Sequence, residues 1–297
     1  MIFIDWGTSS FRAWRADASG AVLDGVETGQ GILEVPQDGF PDALRATIGP
    51  WLAEGEARAL LCGMVGSRQG WVEAPYLPCP AGPAEIAAAL MPIPFDAARL
   101  LLVPGLSTRD AAGVPDVMRG EETKLVGLLA ELGDAPGLAC LPGTHSKWAR
   151  VGGGRVQGFA TQMTGEVRAT LLDHSILGRL AAPDAPGGDA AFLRGVRRAR
   201  DSGGLLHHLF GTRALGLMGD LAAAETESYL SGLLIGHEVA AVLAGGAAPE
   251  GAVHLAGAEV LCRRYALAFD EFGLAHRLHD PDLALRGLML IAEGLPA

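Results

Sequence analysis

The sequence predicts an α/β protein built by duplication, and two observations carry that prediction. First, a short polar turn occurs twice: MIFIDWGTSSFRAW opens the chain and ACLPGTHSKWARV lies near its middle. Each is an apolar strand running into Gly-Thr-x-Ser and then a basic and an aromatic residue (Gly7, Thr8, Ser10, Arg12, Trp14; Gly143, Thr144, Ser146, Lys147, Trp148). Such residues are ordinary turn punctuation, but both turns join the first and second strands of their half. Second, each half runs strand–turn–strand–turn–strand before helices alternate with strands, a long-period repeat and not a solenoid. A chain of 297 residues holds two modest cores. The expected domains are residues 1–120 and 121–297.

In order, MIFID, FRAWRAD and AVLDGVE read as three short strands, consecutive and therefore antiparallel, split by turn signals at Gly7–Ser10 and Ala18–Gly20. PDALRATIGPWLA reads as a helix interrupted at Gly49-Pro50, and ALLCGMVG as a buried strand ending in a glycine-rich turn. WVEAPYLPCPAGPAE reads as an ordered loop, RLLLVPGL as a strand, and EETKLVGLLAEL as an amphipathic helix with Leu125, Leu128, Leu129 and Leu132 on one face. The second half gives GLACLP, KWARV and RVQGFAT as strands, with Gly152–Gly154 as a tight hairpin turn. Helices follow in GEVRATLLDHSIL, AAFLRGVRRARDS, SYLSGLLIGHEVAAVLA, AEVLCRRYALAFDEFG and PDLALRGLMLIAE, with one strand, AVHLAG.

Composition narrows the function classes. The formal net charge is -11 and no Lys/Arg run occurs, which argues against nucleic acid or an anionic membrane as partner. The longest apolar stretch is broken by His237 and Glu238, so no membrane span is expected. Four scattered cysteines make no Cys-x-x-Cys pair and read as small buried thiols. Met1 opens directly into a strand pattern with no cationic leader, and a cytoplasmic location follows.

A turn of Gly and hydroxyl residues exposes backbone N–H groups that can hold phosphate oxygens. Two such turns facing across a cleft would grip a polyphosphate from both sides. Asp5 ends the first strand beside its turn; a carboxylate there needs an intervening cation, which points to Mg²⁺ held partly through water. The second turn carries Lys147, a point charge suited to phosphate.

With these residues in place, IDWGTSSFRAW, CGMVGSRQGWVEAPYLPCPA, MRGEETKLVGLL, LPGTHSKWARV, FATQMTGEV and HSIL together resemble the 2-dehydro-3-deoxygalactonokinase family of the sugar-kinase/actin/Hsp70-like superfamily. The resemblance implies a duplicated ribonuclease H-like (actin-like ATPase) α/β fold, with two domains around a cleft. It implies ATP-dependent phosphorylation of the 6-hydroxyl of 2-dehydro-3-deoxy-D-galactonate in galactonate catabolism, with ATP and Mg²⁺ required. The first phosphate turn maps onto Asp5 (metal), Gly7, Thr8 and Ser9, and the second onto Gly143, Thr144, His145, Ser146 and Lys147. The adenosine segment maps onto VHLAGAEVLCRRY, with Gly257 and Ala258. Helices EETKLVGLLAEL and ALRGLMLIAE map onto the hinge helices. The N-terminal domain would hold the sugar-acid site, and the C-terminal domain the adenosine segment.

The superfamily's catalytic Asp falls where this chain has Glu121 and Glu122. Two Glu in a first helical turn also suit the helix dipole, but a carboxylate there can take the acceptor's proton. Glu122, followed by Thr123, is the preferred base and Glu121 the alternative. For the acceptor's carboxylate the candidate is Arg68, whose fork suits it, with Trp71 and Tyr76 as walls and Arg12 and Thr164 as further contacts; a surface Arg and a helix N-cap explain Arg68 and Thr164 equally well. The helices after Gly165 offer a homodimer face. A phosphatase or a non-catalytic ATP sensor of the same fold is the alternative function; the basic, non-acidic second turn disfavours a phosphatase.

Overall fold

The computed structural model describes residues 1–182, 187–246, 251–280 and 282–295, and Pro281, the first residue of the last expected helix, lies outside them. Two compact units emerge. One comprises Met1–Pro136, Ala149–Ala160 and Asp280–Ala297, the other Gly137–Trp148 and Thr161–His279.

The first unit opens with β1 (Ile2–Trp6), β2 (Phe11–Ala16) and β3 (Val22–Thr28), paired antiparallel in sequence order as expected. Helix α1 (Phe40–Ala53) follows, then β4 (Arg58–Cys62). Gly49-Pro50 does not interrupt α1. Pro50 sits near its C-terminal end, where it removes one backbone donor, and the Glu54 N–H still reaches the Pro50 carbonyl at 3.2 Å. The helix buries Phe40, Leu44, Ile48 and Trp51, a spacing of one helical face. The next elements are β5 (Tyr76–Pro78), α2 (Pro83–Ala88), β6 (Met91–Ile93), β7 (Arg99–Leu102), β8 (Gly105–Arg109), β9 (Pro115–Met118) and α3 (Glu121–Leu132).

The main sheet runs β3-β2-β1-β4-β7-β6, with β1, β4 and β7 mutually parallel. Central β1 is buried at Ile2, Phe3, Ile4 and Trp6, which explains its unbroken apolar run. A small sheet, β5-β8-β9, draws its first strand from the stretch expected to be loop and its other two from the chain after β7. Its strands are three to five residues long and rich in Pro, Gly and Ser, too short to show alternation.

The chain continues with β10 (Gly137–Leu141), β11 (Ser146–Gly152), β12 (Arg155–Gln162), α4 (Thr164–His174), α5 (Asp189–Arg198), α6 (Gly204–Met218), α7 (Thr226–Ala244), β13 (Val253–Leu255), α8 (Glu259–Phe272), β14 (His276–Leu278) and α9 (Leu283–Glu293). The second sheet runs β12-β11-β10-β13-β14, with β10, β13 and β14 parallel. Gly153 and Gly154 make the β11–β12 turn with φ of 59° and 67°, the primed-turn geometry that a two-residue hairpin favours. Helix α6 and strand β14 are additions to the expected list. α6 leaves Leu206, Phe210, Leu217 and Met218 exposed, so its sequence lacks the polar face that marks a surface helix. The fold is thus α/β with the same antiparallel–parallel sheet plan twice.

Helix α9 closes the first unit by crossing α3. A Cβ on Gly127 would lie 2.2 Å from the Leu283 carbonyl oxygen, and one on Gly287 1.8 Å from that of Thr123. The two backbones touch there because neither position has a side chain.

Candidate active site

In the first unit the polar groups gather at the C-terminal ends of the parallel strands, where open α/β sheets hold their ligands. The β1–β2 turn is closed by the Gly7 N–H donating to the Ser10 carbonyl at 2.8 Å. Its outer side is tied down by Ile32 and Leu33, whose N–H groups reach the carbonyls of Gly7 and Thr8 at 3.0 and 3.3 Å. Thr8 and Ser9 stand exposed at the tip. Asp5, half-buried at the strand end, is paired with Arg12, with Nη2 2.6 Å from Oδ2. Arg12 also lies over Trp14.

Gly63 follows β4 with φ of 98°, a conformation that glycine alone adopts cheaply. A Cβ there would sit 2.6 Å from the Trp6 carbonyl oxygen and 3.2 Å from Asp5 Oδ1, and one on Gly120 would lie 3.2 Å from the Gly63 Cα. The ends of β1 and β4 and the start of α3 are therefore in contact.

That contact places Glu122. Its side chain is fully buried; Oε2 accepts the Gly120 N–H at 2.6 Å and Oε1 the Thr123 hydroxyl at 3.3 Å. Burial, then the neighbouring charge of Glu121, push its pKa up to about 8. Burial also pushes the Cys62 thiol up, reinforced by Asp5 and Glu122, so these three groups share one electrostatic neighbourhood. Glu121 turns the other way, with Oε2 accepting the Arg119 backbone N–H at 3.1 Å. Of the adjacent pair, Glu122 is the one that faces inward.

The residues expected around the acceptor separate. Arg68 is exposed (side chain 87 %) and reaches Glu73 only at 3.5 Å. Trp71 stacks on Phe40 and meets Phe95 edge-on, so it belongs to the core margin. Tyr76 is partly exposed and lies under a cation that sequence reasoning passed over: the Arg119 guanidinium, 4.4 Å from the ring centroid. Arg119 is 7 % exposed. Its only sequence signal is its place immediately before the Gly120–Glu122 helix start.

In the second unit, the end of β10 and the end of its parallel neighbour β13 come together. A Cβ on Gly257 would lie 3.4 Å from the Pro142 carbonyl oxygen, and Ala258 is the N-cap of α8. So the second turn and the expected adenosine segment adjoin. Thr144 and His145 are exposed at the turn's tip, and His145 pairs with Glu166. Ser146 and Lys147 are buried. Lys147 Nζ donates to Thr161 Oγ1 at 2.8 Å. The Ser146 hydroxyl is 2.7 Å from that of Tyr265, which donates to Glu238 Oε2 at 2.7 Å, while Trp148 Nε1 donates to Oε1 at 2.7 Å. Burial raises the Glu238 carboxyl, and hydrogen bonds led by that from Thr164 draw it back. Thr164 is the first residue of α4; the N-cap position falls on Met163, which makes no side-chain cap bond. The expected N-cap is thus a half-buried partner of Glu238. Glu238 on α7, which sequence reasoning used only to break an apolar run, holds the base of this turn.

Among the described residues no group of three or more His, Cys, Asp or Glu is arranged to hold a metal, and no helix is long and apolar enough to cross a membrane.

Comparison with known proteins returns one consistent picture. The family model described as 2-keto-3-deoxy-galactonokinase matches residues 5–291. A Rhizobium meliloti protein assigned as 2-dehydro-3-deoxygalactonokinase DgoK1 is 42% identical over 98% of this chain and 96% of its own. The Escherichia coli 2-dehydro-3-deoxygalactonokinase is 34% identical over 92% of this chain and 90% of its own. A Sinorhizobium meliloti crystal structure with the same assignment is 42% identical, covers 98% of both chains and has a TM-score of 0.91. The Clostridium difficile activator of 2-hydroxyisocaproyl-CoA dehydratase, with bound ADPNP, is 9% identical with a TM-score of 0.52 over 99% of this chain and 95% of its own. That likeness bears on the fold alone.

Proposed function

This chain belongs to the 2-keto-3-deoxy-galactonokinase family and is an ATP-dependent sugar-acid kinase of the duplicated ribonuclease H-like fold, and we propose that its acceptor is the 6-hydroxyl of 2-dehydro-3-deoxy-D-galactonate. Nothing favours the phosphatase or sensor alternative. The observation that carries the mechanism is Glu122, a buried carboxyl with a pKa of about 8 whose charge, like that of Asp5, acts on Cys62 at the end of β4.

Phosphoryl transfer needs positioning and charge neutralisation more than covalent chemistry. Glu122 takes the hydroxyl proton as the acceptor oxygen attacks the γ-phosphorus, and ADP leaves. Its raised pKa makes it a base strong enough to share that proton near neutral pH. The exposed tips at Gly7, Thr8 and Ser9 and at Gly143, Thr144 and His145 offer backbone and hydroxyl donors to phosphate oxygens. Buried Ser146 serves from within by bracing the second turn, and Gly257 and Ala258 take the adenosine. Lys147 draws phosphate charge from beneath the turn. Arg68 and Tyr76 are proposed to meet the acceptor, with Trp71 supporting the loop that carries them.

The residues present fit Mg²⁺. Arg12 occupies Asp5 Oδ2, leaving Oδ1 as the protein's oxygen, and one carboxylate suffices for an ion held mostly by water and phosphates. Bound there, the ion would neutralise phosphate charge. A cytoplasmic enzyme, with a homodimer face among the helices after Gly165 and no nucleic-acid partner, completes the reading.

A coupled assay of ADP release over a panel of sugar acids tests it. Turnover is expected only with acceptor present and fastest with the galactonate-derived acid. ADP release without acceptor, or preference for the gluconate-derived epimer, would replace this reading.

A further inference from the structure

We propose that Arg119, with the Ser67 hydroxyl, is the group that holds the carboxylate of the acid acceptor; this rests on the sugar-acid kinase reading above. Arg119 Nη2 donates to the Ala74 carbonyl at 2.6 Å. Nε and Nη1 are enclosed and have no hydrogen-bond partner among the described residues, and neither has the buried Ser67 Oγ. A guanidinium carries five N–H donors, so this cation keeps three on atoms without a partner. Buried donors left unmet are costly, more so on a charged group. Such a group calls for a partner that the chain itself does not supply.

The surroundings indicate what completes it. Nη1 packs against Gly66, where a Cβ would come within 3.1 Å both of it and of Leu102 Cδ2, so only glycine lets the guanidinium lie this close to the backbone there. Ser67 is the next residue along. The Tyr76 ring covers the guanidinium face at 4.4 Å and is itself 40 % exposed, which gives the site an edge to solvent. Cationic donors beside a neutral hydroxyl, with an aromatic wall, suit a small planar anion carrying an apolar sugar face. The Arg119 charge also acts on Glu122, so an acid held here has its carboxylate in the same electrostatic neighbourhood as the base.

Arg68 is the competing cation. Its exposed charge is screened by water and salt, and its contact with Glu73 is loose. A desolvated guanidinium discriminates charge far better. Arg68 then sits at the rim while Arg119 selects acids from neutral sugars.

The test is calorimetric binding and steady-state turnover with 2-dehydro-3-deoxygalactonate and its neutral 1-carboxamide. Wild type should prefer the acid by ten- to a hundredfold. Arg119→Gln should lose most of that preference, with amide and ATP affinities unchanged, and Ser67→Ala should lose a smaller part. Arg68→Ala, at the rim, should weaken acid and amide alike and so leave the ratio between them in place. If Arg119→Gln does not fold, Arg119→Lys, which keeps charge but not the fork, should show an intermediate loss. A crystal structure of the wild-type enzyme with the acid needs no variant: the carboxylate should lie within hydrogen-bond distance of Nε or Nη1. Undiminished acid preference in the Arg119 variants, a carboxylate bound elsewhere, or loss of ATP affinity instead would overturn the assignment. A wild type that accepts no sugar acid would overturn the underlying reading, a distinguishable result.

Discussion

Glu122 is a carboxyl group out of contact with solvent, and its raised pKa follows from that burial. Substituting Gln keeps the shape and the Gly120 hydrogen bond but removes the basicity. Glu122→Gln should lower kcat by about 10² to 10⁴, the usual worth of a general base, with little change in acceptor KM. Glu121→Gln should be nearly silent, because Glu121 spends its carboxylate on the Arg119 backbone. Near-normal kcat in both variants would move the base elsewhere. As the proposed base, Glu122 would work deprotonated, so wild-type kcat should climb with pH toward a limb near pH 8, measurable in stopped-time assays with saturating substrates. Asp5→Asn tests the metal: turnover should fall more than tenfold, while stability changes by only about 1 kcal/mol for a half-buried ion pair. Full activity with an unchanged melting curve would remove Asp5 from the site. Much of this was legible in the sequence. Asp5, the two turns and the paired glutamates announce themselves by residue type at the ends of apolar runs. The unmet donors of Arg119 and the inward-facing hydroxyl of Ser146 do not, because each depends on what lies across the fold.

Helices and strands were readable in proportion to their length and contrast. β1 to β3 and α3 carry strong periodic patterns and stand where expected. The β5-β8-β9 sheet was missed because its strands span only three to five residues, too few for alternation to stand out, and α6 because it keeps apolar residues on its solvent side. Pro50 misled for a local reason, since a proline late in a helix costs one hydrogen bond rather than the helix. The α3–α9 crossing is the element-level feature most open to test. At Gly127 and Gly287 an added methyl group would meet backbone carbonyls at 2.2 and 1.8 Å, atoms that cannot rotate away. Gly127→Ala or Gly287→Ala should therefore force the helices apart and destabilise by about 1–3 kcal/mol or more, read by urea denaturation. Because Gly287 faces Thr123, its substitution should also depress kcat by shifting Glu122. A stable, fully active Gly287→Ala enzyme would show that this contact does not position the base.

Across the whole molecule, the buried carboxyl couples stability to pH. The folded-state pKa of Glu122, about 8, lies above the ordinary 4.5. Folding therefore favours the protonated form. Its contribution is fully present below pH 4.5 and is lost as pH rises toward 8, a swing of roughly 5 kcal/mol at most. Wild-type melting temperature should decline over that window once the common trend of the other groups is subtracted, and Glu122→Gln should flatten the decline. Equal slopes for the two proteins would show that water reaches Glu122 after all. The division of the chain has a consequence of another kind. The second unit uses nothing beyond His279, whereas the first needs residues 280–297, including the helix that seats on α3. On a ribosome, the half that is translated first is completed last. Until α9 is made, α3 lacks the helix that packs against its Thr123 and Gly127 backbone, so the first unit cannot close before the second has been synthesised.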